Sequence, residues 1–200
     1  RLNKINVKTF LFLHSTIGPK EIKNKSMLSY KEILSKSTQV LVHSVNDLNR
    51  LKYLGVDDNV SIFPHGIIDS DFLSIDNNLD EKIVYKDEWI ISSYGFCLPH
   101  KGFLELIQAI HLLRGNGVDI KLELLTSVYN NNFEYVVKEL QEEIISLNIS
   151  EYVILDTTYS TDSYSLNKLS KSDLVVFPYQ NSNESSSAAV RHGISSGTPT

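Results

Sequence analysis

Short apolar runs rich in branched residues alternate along this chain with longer segments in which apolar residues recur at helical spacing, and that alternation is the strongest constraint on its fold. Val7 to Leu13, Val40 to His43, Val60 to Phe63, Trp89 to Tyr94, Ile120 to Leu125, Tyr152 to Leu155 and Leu174 to Phe177 read as strands. Between them, Val45 to Leu54, Gly102 to Arg114, Phe133 to Leu147, Leu166 to Ser170 and Ser185 to Ser196 read as helices, and Pro19 to Lys36 as a helical or irregular connection. Strands that never follow each other directly cannot form hairpins, so the pattern predicts an α/β chain with parallel sheets and helices on both faces. Ser70 to Asp87 is polar, carries Asn77-Asn78 and an acidic cluster, and lacks a long apolar period, so 71–87 reads as a linker between residues 1–70 and 88–200.

Two strand-loop-helix junctions carry chemistry. Asn183 to Pro199 (N-E-S-S-S-A-A-V-R-H-G-I-S-S-G-T-P) follows the strand Leu174-Val175-Val176-Phe177-Pro178. It places a carboxylate and three hydroxyls at the start of a small-residue helix. The unpaired N–H groups and positive dipole end of such a start can hold a phosphate or a polar sugar. Glu184 read alone is equally an ordinary helix-start residue, and Ser185, Ser186 and Ser187 equally caps. The second junction, Ser92 to Gly102 (S-S-Y-G-F-C-L-P-H-K-G), lies between Trp89-Ile90-Ile91 and a helix. Gly95 permits a tight turn, Pro99 stiffens the loop, and Lys101 sits at the mouth of the helix, where its ammonium can meet an anion.

Together the junctions resemble the retaining glycosyltransferases of family 4, in the two-Rossmann-domain (GT-B) architecture. Gly95 to Gly102 has the spacing of that family's G-R-x-x-x-x-K-G loop, and Glu184 to Pro199 follows its Glu, seven residues, Glu and G-x-P frame. Gln39 to Ser44 and Asn59 to Gly66 resemble its interdomain run. The resemblance implies a nucleotide-diphosphate sugar donor, with Lys101 stabilising the leaving diphosphate and Glu184 orienting the donor sugar as the catalytic pair. It implies donor contacts from Gly95, His100, Gly102, Ser185, Ser186, Ser187, Arg191 and His192, and an acceptor-side role for His14, for which a solvated strand-end histidine is the plain alternative. His65 is read as a structural turn, and Tyr159 as either a base-stacking residue or an exposed loop.

Two positions depart from the family pattern. Phe96 replaces the loop arginine and removes a bidentate phosphate contact, while His192 replaces the second glutamate and cannot accept two bonds as a carboxylate does. The loop and helix resemble a variant subgroup of the family with a G-F-x-x-P-H-K-G loop and an E-S-S-S-A-x-V-R helix, which implies an active variant rather than a dead enzyme. By the same resemblance both domains read as incomplete, no cofactor or metal is needed, and Asp69-Ser70-Asp71 is a turn. The acceptor is expected to be a glycan or lipid-linked glycan in surface polysaccharide synthesis. The location is expected to be cytoplasmic, with peripheral contact at the inner face of the membrane left open. A non-catalytic nucleotide-sugar-binding or scaffold relative, and a GT-B-type nucleotide-sugar epimerase, are the alternatives.

Composition narrows the classes. A net charge of −5 lacks the basic excess of a nucleic-acid binder. The single cysteine, Cys97, rules out an internal disulfide framework or a Cys-rich zinc site. At 42% hydrophobic residues over 200, the chain can bury one substantial core or two small ones. No apolar run approaches the length of a membrane span; Thr9 to Leu13 is far too short. The triplets Asn148-Ile149-Ser150 and Asn183-Glu184-Ser185 match the glycosylation pattern, a match read as chance.

Overall fold

The computed structural model describes residues 7–16, 27–69, 88–180 and 186–200. It divides into two compact units, Arg1–Gly66 with Ser182–Ala188, and Ile67–Asn181 with Ala189–Thr200. The expected linker at 71–87 lies outside the described residues. Among those residues no helix is long and apolar enough to cross a membrane.

In the first unit, strands β1 (Phe10–Leu13), β2 (Gln39–Val42) and β3 (Val60–Ile62) form a parallel sheet in that order, with helices α1 (Lys31–Lys36) and α2 (Val45–Tyr53) between them. Val40 and Val42 alternate onto one face of β2 and are fully buried against Leu34, Leu51 and Val56. Ser44 starts α2 because its hydroxyl accepts from the Asp47 backbone N–H at 3.2 Å. The Asp47 carboxylate is itself fully buried and accepts from the Thr16 N–H, the Thr16 and Ser44 hydroxyls and Arg50. This one side chain therefore ties the segment after β1 to the helix after β2. The helix ends in a Schellman motif, with Gly55 in the left-handed region donating to Lys52 and Val56 donating to Leu51.

The second unit holds a four-stranded parallel sheet of β4 (Trp89–Phe96), β5 (Ile120–Ser127), β6 (Val153–Asp156) and β7 (Leu174–Val175), in the order β6-β5-β4-β7. Helices α3 (Phe103–Gly115), α4 (Glu134–Ser146), α5 (Asp162–Leu169) and α6 (Ala188–Ser195) alternate with them. Ile120, Leu122 and Leu124 of β5 project to one face, into a core with Phe103, Ile107 and Ile110 of α3 and Val136, Leu140 and Ile144 of α4. Leu125 projects to the opposite face and packs with Leu169 of α5 and Val175 of β7. Helices thus cover both faces, as the strand-helix alternation predicts. Successive strands β4, β5 and β6 step outward in one direction, then the chain returns to place β7 on the other side of β4. That reversal creates a switch point between the carboxyl ends of β4 and β7, the place where open α/β sheets bind ligands.

Most elements fall within a few residues of their predicted spans. β1 begins at Phe10 rather than Val7. α5 begins at Asp162 rather than Leu166, because the Thr161 hydroxyl caps it by accepting from the Tyr164 N–H at 3.3 Å. β7 pairs only over Leu174 and Val175, although the Val176 N–H still donates to Ser92 at 2.8 Å before Pro178 ends the run.

Candidate functional site

The switch point is built from the loop after β4 and the segment after β7. β4 closes with Gly95 at φ 136° and Phe96, then Cys97 turns fully inward, its N–H donating to Ser127 at 2.8 Å. Burial pushes the Cys97 thiol up from its ordinary range, which makes it packing rather than a nucleophile. Pro99–Lys101 forms one turn of 3-10 helix, and Gly102 then enters α3 with φ 74°. A Cβ at Gly102 would lie 1.9 Å from the Pro178 carbonyl oxygen, so only glycine allows the two backbone segments to meet this closely. The Gln180 N–H donates to the His100 carbonyl at 2.9 Å and joins the same two segments a second time.

Lys101 is 5% exposed, and its ammonium lies 4.0 Å from the centroid of the Tyr179 ring. A cation over an aromatic face contributes about 0.5–2 kcal/mol, with the larger figure where water is excluded. The charge expected at the helix mouth is therefore present at the switch point, held in place by a tyrosine from the β7 side. His100 is half-buried in the same turn. Beneath the loop, the Ser93 hydroxyl of β4 is buried with no hydrogen-bond partner among the described residues.

The segment before α6 places Ser186 and Ser187 half-buried, with Arg191 half-buried on the helix itself. Glu184 and Ser185 lie outside the described residues. His192 is buried at 7% exposure; its Nε2 is 2.8 Å from the Ser165 hydroxyl, and its ring stacks on Tyr94 with centroids 4.4 Å apart. Burial holds its pKa below the ordinary histidine value, partly opposed by Asp162, whose carboxylate oxygen is 4.0 Å from Nδ1. His192 therefore links α6 to α5 and β4 through both its edge and its face. Gly193 beside it leaves room for Phe177, whose ring carbon would lie 2.6 Å from an added Cβ.

An aromatic border lies at the strand ends beside this site; the sequence reading names Tyr159 as a stacking candidate and Phe96 as a replaced arginine, but not Tyr129 or the grouping of the three. Phe96, Tyr129 and Tyr159 follow or end β4, β5 and β6, and each exposes its ring. Phe96 meets Tyr129 edge to face at 5.2 Å and runs nearly parallel to Tyr159 at 6.5 Å. One aromatic at the carboxyl end of each successive strand is a signal visible in sequence only once the strand ends are known.

His14, the acceptor-side residue of the sequence reading, is exposed directly after β1 in the first unit, where His43 and His65 lie beside it.

No family model matches the chain, and no curated protein matches it. Solved structures do. HepE of Anabaena, in complex with UDP, superposes with a TM-score of 0.75 at 14% identity over 99% of this chain and 54% of its own. The trehalose-6-phosphate synthase of E. coli, bound with UDP-2-fluoro glucose, gives 0.73 at 14% identity over 98% of this chain and 52% of its own. An α,α-trehalose-phosphate synthase (UDP-forming) from Burkholderia vietnamiensis gives 0.73 at 11% identity over 98% and 51%. The chain has the GT-B fold of these proteins and spans about half their length.

Proposed function

We propose that this chain carries the donor-binding part of a nucleotide-sugar-dependent glycosyltransferase of the GT-B class. The observation that carries the reading is Lys101, seated on Tyr179 at the β4/β7 switch point, in a loop that Gly102 presses against Pro178. Similar structures bound to UDP and UDP-2-fluoro glucose support a nucleotide-sugar donor for a fold of this kind. Lys101 would stabilise the departing diphosphate, whose charge grows as the glycosidic bond breaks. By the resemblance described above, Glu184 would orient the donor sugar and Tyr159 would stack on the base; the rings of Phe96 and Tyr129 beside it support that reading, a contact of about 1–3 kcal/mol for a base on one ring. We assign retention of configuration, a glycan or lipid-linked glycan acceptor, a place in surface polysaccharide synthesis and a cytoplasmic location as finer parts of the same proposal.

A second reading is a nucleotide-sugar-binding scaffold without turnover. The commitment of His192 to Ser165 and Tyr94 favours it, because a buried ring held at its edge and on one face is poorly placed to serve ribose.

Calorimetric titration of the full chain with UDP, GDP and ADP tests the donor site. One diphosphate should bind selectively, and Lys101→Ala should weaken it ten- to a hundredfold, about 1.5–3 kcal/mol for a charge-assisted contact. Loss of sugar from the matching nucleotide sugar in the presence of glycan acceptors separates enzyme from scaffold. If no diphosphate binds to the folded chain, the donor-site reading is abandoned.

A further inference from the structure

Three imidazoles gather at the carboxyl edge of the β1-β2-β3 sheet. His14 directly follows β1, His43 directly follows β2, and His65 lies just beyond β3. Nε2 of His43 is 2.9 Å from Nδ1 of His14, and Nδ1 of His43 is 2.8 Å from the Phe63 carbonyl oxygen. The His65 ring stacks on His43 with centroids 3.7 Å apart and lies 5.5 Å from His14. One ring nitrogen from each histidine lies within 4.8 Å of the other two.

The hydrogen bonding fixes the tautomer. A carbonyl oxygen only accepts, so Nδ1 of His43 carries the proton and Nε2 presents a lone pair. Metal-ligating histidines are oriented in this way, their second N–H donating to a backbone carbonyl. We propose that His14, His43 and His65 form a binding site for a divalent transition-metal ion of zinc-like character, with water in the remaining position.

Zn–N bonds of about 2.0–2.1 Å in a tetrahedron place ligand nitrogens roughly 3.3 Å apart. The His14 and His43 nitrogens open by a few tenths of an ångström while both rings tilt so that their lone pairs leave the N–N line and meet at the metal, and His65 moves inward from a half-buried position. On binding, the hydrogen bond between His14 and His43 is exchanged for two metal bonds, with His14 taking the tautomer protonated at its outer nitrogen. An all-imidazole donor set selects zinc, nickel or copper over magnesium or calcium, which require oxygen ligands. Three protein ligands leave an open position, and it lies on the carboxyl edge of a parallel sheet, the edge on which open α/β folds hold ligands. This site does not depend on the donor-site reading of the second unit.

Titration of the full chain with Co²⁺ at pH 8 reads the site directly. We expect one equivalent bound, with the intense visible absorption of a low-coordinate nitrogen-ligated ion, displaced by one equivalent of Zn²⁺. Chelator competition should show Zn²⁺ affinity reduced at least about 100-fold by His14→Ala and by His65→Asn. His111→Ala, on α3 of the other unit, should leave it unchanged. His14 is exposed, so its variant keeps the fold, and thermal melts of both variants verify that. Absence of stoichiometric Co²⁺ binding, or a double His14→Ala, His65→Asn variant that binds Zn²⁺ as tightly as the parent, overturns the proposal.

Discussion

At the carboxyl edge of β1-β2-β3 the proposed site rests on side chains, one imidazole from each strand end, whereas at the β4/β7 edge the proposed site rests on backbone geometry. The first edge needs nothing special of the main chain, since none of its three histidines has positive φ. The second depends on Gly95 and Gly102 in conformations that other residues rarely adopt, with Pro178 pressed against one of them. One parallel topology therefore supports two ways of making a site. Side chains from several strands can converge on a small cation, while a tight loop and a helix start offer N–H groups and a single ammonium to a larger anion.

Gly102→Ala is the harshest challenge to this contrast. The new Cβ would meet the Pro178 oxygen at 1.9 Å in a backbone conformation unfavourable to alanine. Destabilisation of about 3 kcal/mol or more is expected, with loss of diphosphate binding, read from urea denaturation and calorimetry. An unchanged denaturation midpoint would mean that the loop yields freely, and the backbone-built description of this edge would be wrong. The corresponding strike at the first edge is Asp47→Ala, which removes the carboxylate that holds Thr16 and Ser44. It should cost roughly 2–3 kcal/mol, the partly exposed Arg50 pair adding little. Zn²⁺ affinity should fall as well, because Thr16 anchors the segment that carries His14. Retained affinity in a destabilised variant would show that the histidines are positioned by their own contacts instead.

The strands and helices were legible because local pattern determines them: Val40 and Val42 alternate inward, and Phe103, Ile107 and Ile110 recur on one face of α3. The Lys101-Gly102 loop was legible for a similar reason, since a lysine and a left-handed glycine at a strand-helix junction announce their geometry locally. What escaped was everything set by tertiary pairing. Tyr179 beneath Lys101 comes from the far side of the switch point. His14 and His43 stand 29 residues apart and meet only because β1 and β2 are neighbours. His65 was read as a turn residue for the same reason. The inward fate of His192 was equally hidden, because its partners Ser165 and Tyr94 belong to other elements whose packing no motif encodes.

His192 gives the mildest and most discriminating test of how far the second edge is structure rather than binding surface. Its pKa lies below the ordinary histidine value because burial disfavours the imidazolium, Asp162 opposing this only in part. As pH falls through about 6.5, the unfolded chain takes up the proton before the folded one does. The unfolded state then binds more protons, so stability is full above that pH and declines below it until the folded-state pKa is passed. His192→Gln retains a hydrogen-bonding group for Ser165 and removes the titration. At pH 7.5 it should cost about 0.5–1.5 kcal/mol through lost stacking on Tyr94, and the acid-side decline in the urea midpoint between pH 7.5 and 5.5 should flatten. A variant that keeps the parent's decline would place the titrating group elsewhere. One that keeps both stability and slope but loses diphosphate affinity would return His192 to the ligand, against the packing role its contacts support.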